Sequence, residues 1–163
     1  MNTSFRKARH TFWICALVFL LDRVTKILAA RLEKPVTLIP GVIGLNYTQN
    51  TGIAFGLFPG APLLLGILSV LLMTGFLCLL SRLSLKTGTW VCVMLVLGGA
   101  LSNALDRILL GRVPDMIEIL AFRWGIFNVA DTAVVIGFVL LGIRCLTHPE
   151  EWKKHHGDSG ENR

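Results

Sequence analysis

Residues Ala61–Leu80 read APLLLGILSVLLMTGFLCLL, twenty residues without one charged side chain. A helix needs about twenty mostly apolar residues to cross the hydrocarbon core of a bilayer. A run of this length and purity has no place on the surface of a soluble domain, so it fixes the solvent first: the chain folds in a membrane. Two further runs match it. Thr89–Leu105 is uncharged, and Asn128–Leu146 is interrupted only by Asp131 and Arg144. A fourth is less clean, because Thr11–Leu21 is apolar, then Asp22, Arg23 and Lys26 intrude, then Ile27–Ala30 resumes. With 53% hydrophobic residues and 16% charged ones in 163, the expectation is an all-α membrane protein of four transmembrane helices over 1–147, followed by a polar cytoplasmic tail over 148–163.

The first run also resembles a secretory signal peptide. It has Arg6, Lys7 and Arg9 ahead of an apolar centre and small residues at Ala29–Ala30. The polar stretch Asp22–Lys26 separates that centre from the alanines, so a retained helix with a polar outer half fits better. The net charge of +6 does not point to nucleic acid, since the basic residues flank apolar runs and form no stripe on a soluble module. With four spans, nine Lys/Arg fall on the side of the termini and seven on the other. That bias favours cytoplasmic termini, more so if Arg23, Lys26 and Arg107 belong to a site rather than to loops. Cys15, Cys78, Cys92 and Cys145 form no CxxC and lie in or beside apolar runs. They read as apolar thiols rather than metal ligands or disulfides.

Between the first two spans, Lys34–Gly60 carries β-branched residues, glycines and prolines. It predicts a small extracytoplasmic β-rich segment resting on the membrane surface. Gly111–Phe127 is apolar and aromatic but too short and too charged to span, and predicts an interfacial loop between the third and fourth helices. The polar residues at membrane depth are few. Asp22, Arg23 and Lys26 lie in the first helix, Asn103, Asp106 and Arg107 in the third, and Asn128 and Asp131 at the start of the fourth. The loops add Asn50 and Asp115. Asp22 and Lys26 are four apart and can pair, as Asn103 and Arg107 share a face. All fall toward the ends of their helices away from the termini, so one polar layer forms near the outer surface. The bland reading is a network that joins helices, with Asn128 and Asp131 acting as a helix cap. The functional reading is a catalytic carboxylate pair. From the residues alone, either Asp106 or Asp115 can partner Asp131.

Five motifs in order carry a resemblance that covers nearly the whole chain. Asp22-Arg23-Val24-Thr25-Lys26 resembles D-x-x-T-K, and Asn50-Thr51-Gly52-Ile53-Ala54-Phe55 resembles N-x-G-x-A-[FW]. Gly98–Arg107 resembles GGA-x-x-N-x-x-DR, Val113-Pro114-Asp115 resembles V-x-D, and Phe127–Asp131 resembles FN-x-AD. Together they resemble the signal peptidase II family of aspartic membrane peptidases. Ser102, where the family more often has Gly, and Pro114 depart from the pattern. The resemblance implies that Asp115 and Asp131 are catalytic, supported by Asp22, Lys26, Asn50, Gly52, Asn103, Asp106, Arg107, Asn128 and Ala130. It implies hydrolysis of the bond before a diacylglyceryl-modified cysteine in a prolipoprotein, at the extracytoplasmic face of the bacterial inner membrane. The partners it implies are that substrate and membrane lipids, with no nucleic acid, no cofactor and no metal, and the chain is expected to be a monomer.

Two aspartates suit that chemistry, because two adjacent carboxylates share one proton and so offer a base and an acid at once. The Asn50 loop and the apolar Met116–Phe127 segment have the length and character to close over a substrate. Rival proteases lack their residues. The histidines, His10, His148, His155 and His156, lie in the tails and form no HExxH. A Ser102–Lys26 pair has no oxyanion-type motif around it. The alternative of another class is a non-enzymatic small polytopic transporter or assembly subunit, which would spread acidic residues through the depth of the bundle.

Overall fold

The computed structural model describes residues 3–52, 60–121 and 125–152, with side chains from residue 6 onward. Among these residues, four long helices and three short strands follow in the order α1 (Thr3–Ala29), β1 (Val36–Ile39), β2 (Ile43–Asn50), α2 (Pro62–Leu80), α3 (Thr87–Leu110), β3 (Val113–Ile119) and α4 (Val129–Thr147). A 3-10 turn at Pro149–Trp152 ends the described chain. Among the described residues, α2, α3 and α4 are long and apolar enough to cross a membrane. The first helix is longer than expected, 27 residues or about 40 Å of rise, but Asp22, Arg23 and Lys26 dilute its apolar content.

α3 is the hub. It packs against α1, α2 and α4, and most of it is buried, whereas α2 and α4 turn most of their apolar surface outward. The outward residues, among them Phe12, Leu64, Leu72, Val135 and Val139, are what a lipid-facing surface requires. Small residues let α3 approach two neighbours at once. A methyl group at Gly98 would lie 2.8 Å from the Cys15 carbonyl oxygen of α1, and one at Gly99 would collide with the Ala130 carbonyl of α4.

The strands form one antiparallel sheet in the order β1-β2-β3. Thr48 pairs with Asp115, Gln49 with Pro114 and Asn50 with Val113, after a register shift between Leu45 and Thr48. The segment between α3 and α4 is therefore not only an interfacial loop, since residues 113–119 supply a strand. Gly111, at φ 67°, ends α3 in the left-handed region and turns the chain back toward the sheet. Val113, Ile117 and Ile119 then suit a pleated, half-buried strand. Pro114 donates no N–H to the ladder, which a strand at the margin of a sheet tolerates.

The polar tail is tied down at its start. Glu151 is fully buried and accepts hydrogen bonds from the Lys86 N–H (2.8 Å) and the Thr89 hydroxyl (2.6 Å). It also pairs with the Arg144 guanidinium. Lys86 is the N-cap of α3 and makes no side-chain cap of its own, so Glu151 satisfies that helix start from outside the helix.

Candidate active site

α4 begins with a reciprocal cap. The Asn128 side chain accepts the Asp131 N–H at 2.8 Å, and the Asp131 carboxylate accepts the Asn128 N–H at 3.2 Å. The cap reading of FNVAD is thus correct, and it is also what orients the acid. One Asp131 oxygen is held by the cap and the other accepts the Asn103 amide at 2.7 Å.

Asn128 faces two ways. With its oxygen on the Asp131 N–H, its amide nitrogen donates to Asp115 Oδ1 at 2.6 Å and to Asn103 Oδ1 at 3.2 Å. The other Asp115 oxygen accepts the Asn50 amide at 3.1 Å. Asp115 and Asp131 are therefore each one hydrogen bond from the same asparagine, although they come from a strand and a helix of different segments. Both line one cavity of about 530 Å³, with Asn50 and Arg107 at its polar end and Val135 and Ile136 of α4 along an apolar wall.

Asp115, like Asp131, is held by neutral amides among the described residues, whereas Asp22 and Asp106 are bound by cations. Burial, and next the charge of Asp131, push the Asp115 carboxyl up to about 6, against the hydrogen bonds from Asn50 and Asn128 and the more distant Lys26 charge. Asp106 is committed elsewhere. Its carboxylate is bound by both terminal nitrogens of Arg23 and by Lys26 Nζ at 2.7 Å, and it is not among the walls of the cavity.

The remaining expected residues form the support. Lys26 Nζ reaches Asp22 at 2.6 Å, Asp106 and the Asn103 side-chain oxygen at 2.9 Å. That last bond turns the Asn103 amide nitrogen toward Asp131. Asp22 accepts the Ala130 N–H at 2.9 Å, so α1 holds the first turn of α4 in place. Gly52 donates its N–H to the Asn50 side chain at 2.9 Å, and its carbonyl accepts Arg107 at 3.0 Å. The structure thus joins Asp22, Lys26, Asn50, Gly52, Asn103, Asp106, Arg107, Asp115, Asn128, Ala130 and Asp131 in one network. Ile53, Ala54 and Phe55 of the loop motif lie outside the described residues.

Two members are additions to the expected set. Arg23 closes the ion-pair cluster, and Ser102 donates to Asp22 at 2.6 Å. Asp22, Arg23, Lys26 and Asp106 together balance two negative against two positive charges, as a buried cluster must. The signal for Arg23 was its place between Asp22 and Lys26. That for Ser102 was a hydroxyl replacing a glycine in a motif whose neighbours are polar.

A helical membrane bundle with a small sheet across one end and a cavity holding paired acids defines a class of integral membrane enzyme. Comparison with known proteins makes it specific. The family model for signal peptidase (SPase) II matches residues 14–147, and the chain belongs to that family. It is 38% identical to the lipoprotein signal peptidase of Chlorobium phaeobacteroides over 148 residues, covering 81% of this chain and 93% of that one. It is 36% identical to the lipoprotein signal peptidase of Nostoc sp. over 160 residues, covering 93% and 98%. Among solved structures, a bacterial membrane enzyme determined by the in meso method at 2.3 Å resolution superposes with a TM-score of 0.79. It shares 26% identity, and the match covers 88% of this chain and 92% of that one. The protein is a peptidase of bacterial membranes.

Proposed function

We propose that the chain is an aspartic endopeptidase that removes signal peptides from prolipoproteins by hydrolysing the bond before a diacylglyceryl-modified cysteine. One observation carries this reading: Asp115 and Asp131 share a cavity and the Asn128 bridge, and Asp115 is bound by amides instead of cations. A carboxylate without a salt-bridge partner stays free to gain and lose a proton.

In this mechanism the pair holds one proton. The ionised carboxylate, Asp131, takes a proton from water as the water oxygen bonds to the scissile carbonyl carbon. The protonated one, Asp115, donates to the carbonyl oxygen, giving a neutral tetrahedral diol. A proton then passes to the leaving nitrogen, the C–N bond breaks and the carbonyl re-forms. Water supplies the hydroxyl of the new acid and the hydrogen of the new amine. No cofactor enters. Asn103 and Asn128 keep the carboxylates in register, and Arg107 fixes the Gly52 end of the loop.

α1 serves as a fourth span. Asp22, Arg23 and Lys26 face the bundle, where they pair with one another and with α3, and the outer face around them is apolar. Both termini are then cytoplasmic, the sheet and the carboxylates lie at the extracytoplasmic face, and the substrate's acyl chains stay in the bilayer beside α4. The enzyme acts as a monomer, with the membrane domain over 1–147. Against a conduction path, the buried acids within the helices of the described bundle, Asp22 and Asp106, sit in one layer with Asp131. The test is cleavage of a lipidated precursor by Asp115→Asn and Asp131→Asn in purified, folded protein. Loss in both supports the dyad, and substantial turnover in both would dismiss it.

A further inference from the structure

Phe127 pairs with β3 by both of its backbone groups. Its N–H donates to the Ile117 carbonyl at 3.0 Å, and its carbonyl accepts the Ile117 N–H at 2.8 Å. In an extended chain successive N–H and C=O groups alternate sides. The N–H and C=O of Ile126 therefore point away from β3, and neither has a partner among the described residues. Gly125, Ile126 and Phe127 line the cavity that holds Asp115 and Asp131. A half-exposed strand edge thus lies along the rim of the site, ending one residue before Asn128, which binds both acids.

We propose that this edge binds the substrate backbone by strand addition, with one substrate residue exchanging both of its main-chain hydrogen bonds with Ile126. The proposal rests on the peptidase reading above. The occupant is the extended peptide flanking the scissile bond. Its position favours it: the edge is continuous with the cavity, and main-chain pairing holds an extended peptide whatever its side chains. Asn128 lies two residues along, roughly 6–7 Å at the rise of an extended strand. Antiparallel pairing, the more stable kind, runs the substrate opposite to 125–128. The substrate residue opposite Ile126 then follows the scissile bond. It is one of the first two or three residues after the lipidated cysteine. The signal-peptide side is left to the apolar wall of α4.

The test walks a single amide-to-ester replacement along a synthetic lipopeptide that spans the cleavage site. An ester removes one N–H donor and leaves the enzyme untouched. The expected result is a rise in KM of about five- to tenfold at one position within three residues after the cysteine, with less than about twofold change at its neighbours. Ile126→Pro, which deletes the N–H on the enzyme side, lowers kcat/KM by about the same factor. Proline keeps the Ile126 carbonyl, so the same ester still costs its own factor in that variant, and loss of both bonds costs more than loss of either. A flat ester scan, or an effect confined to residues before the cysteine, overturns the proposal even if Ile126→Pro fails to fold. Failure of the unmodified lipopeptide to be cleaved would strike the peptidase reading instead.

Discussion

Two buried carboxylates sit at opposite ends of the α3–α4 pair and are treated in opposite ways. Glu151, at the end that holds the start of α3, faces Arg144, Thr89 and the Lys86 N–H. Burial pushes its carboxyl up, but the Thr89 hydroxyl, the Lys86 N–H and the Arg144 charge outweigh that and hold it below the usual glutamate range. Asp115, at the other end, meets Asn50 and Asn128 and is pushed up to about 6. A charge that is paired with a cation is fixed, and it stabilises the fold. A charge given only amides is left near its switching point, and it costs stability in exchange for reactivity.

The largest expected effect separates the two ends by activity. Asp131→Asn or Asp115→Asn lowers turnover of a lipidated precursor by at least about a thousandfold, whereas Glu151→Gln leaves kcat within about threefold in the folded protein. Comparable losses at both ends would break the comparison. Next is the bridge. Asn128→Ala removes a donor to Asp115 and the cap of α4 together, so it lowers turnover by about a hundredfold and stability by about 1 kcal/mol. A variant that loses stability but keeps its rate would reduce Asn128 to a cap.

Thermal melts against pH sharpen the contrast. A raised aspartate pKa means that the folded state holds its proton more tightly, so stability falls as pH climbs from about 4 to about 6. Asp115→Asn therefore raises Tm near neutral pH, by an amount equivalent to about 3 kcal/mol at most, and leaves it unchanged near pH 4. Glu151 has the opposite sign. Its contribution is present above the unfolded value and is lost as pH falls through the lower folded one, so Glu151→Gln lowers Tm at neutral pH and converges with the parent in acid. Matching signs in the two variants would refute the assignment. The smallest effect concerns Ser102→Ala, which deletes one hydrogen bond to Asp22 and costs about 1 kcal/mol, with a rate within about threefold.

Much of the site was legible because its chemistry is local. FNVAD contains its own cap, and Asp22 with Lys26 forms its own pair, so short spacing sufficed. The three apolar helices were legible for the same reason, and α2 begins within one residue of the expected run. What stayed hidden depends on distant partners. Residues 113–119 become a strand because β2, more than sixty residues earlier, offers an edge, and no pattern within the segment announces that partner. Arg23 reaches Asp106 across 83 positions, and Glu151 reads as one more polar residue of the tail until Arg144 and Thr89 are placed beside it. The partnership of Asp115 with Asp131, open between two candidates in the residues, becomes geometrically favoured once Arg23 and Lys26 are seen to occupy Asp106.

The bond from the Ala130 N–H to Asp22 spans 108 positions, from α4 back to α1. A nascent chain that stops short of Val129 already carries Asp115, yet it lacks Asp131, the bridging hydrogen bonds that start at α4, and the donor that Asp22 awaits. On the proposed reading, synthesis order keeps the emerging polypeptide without its carboxylate pair until α4 is delivered.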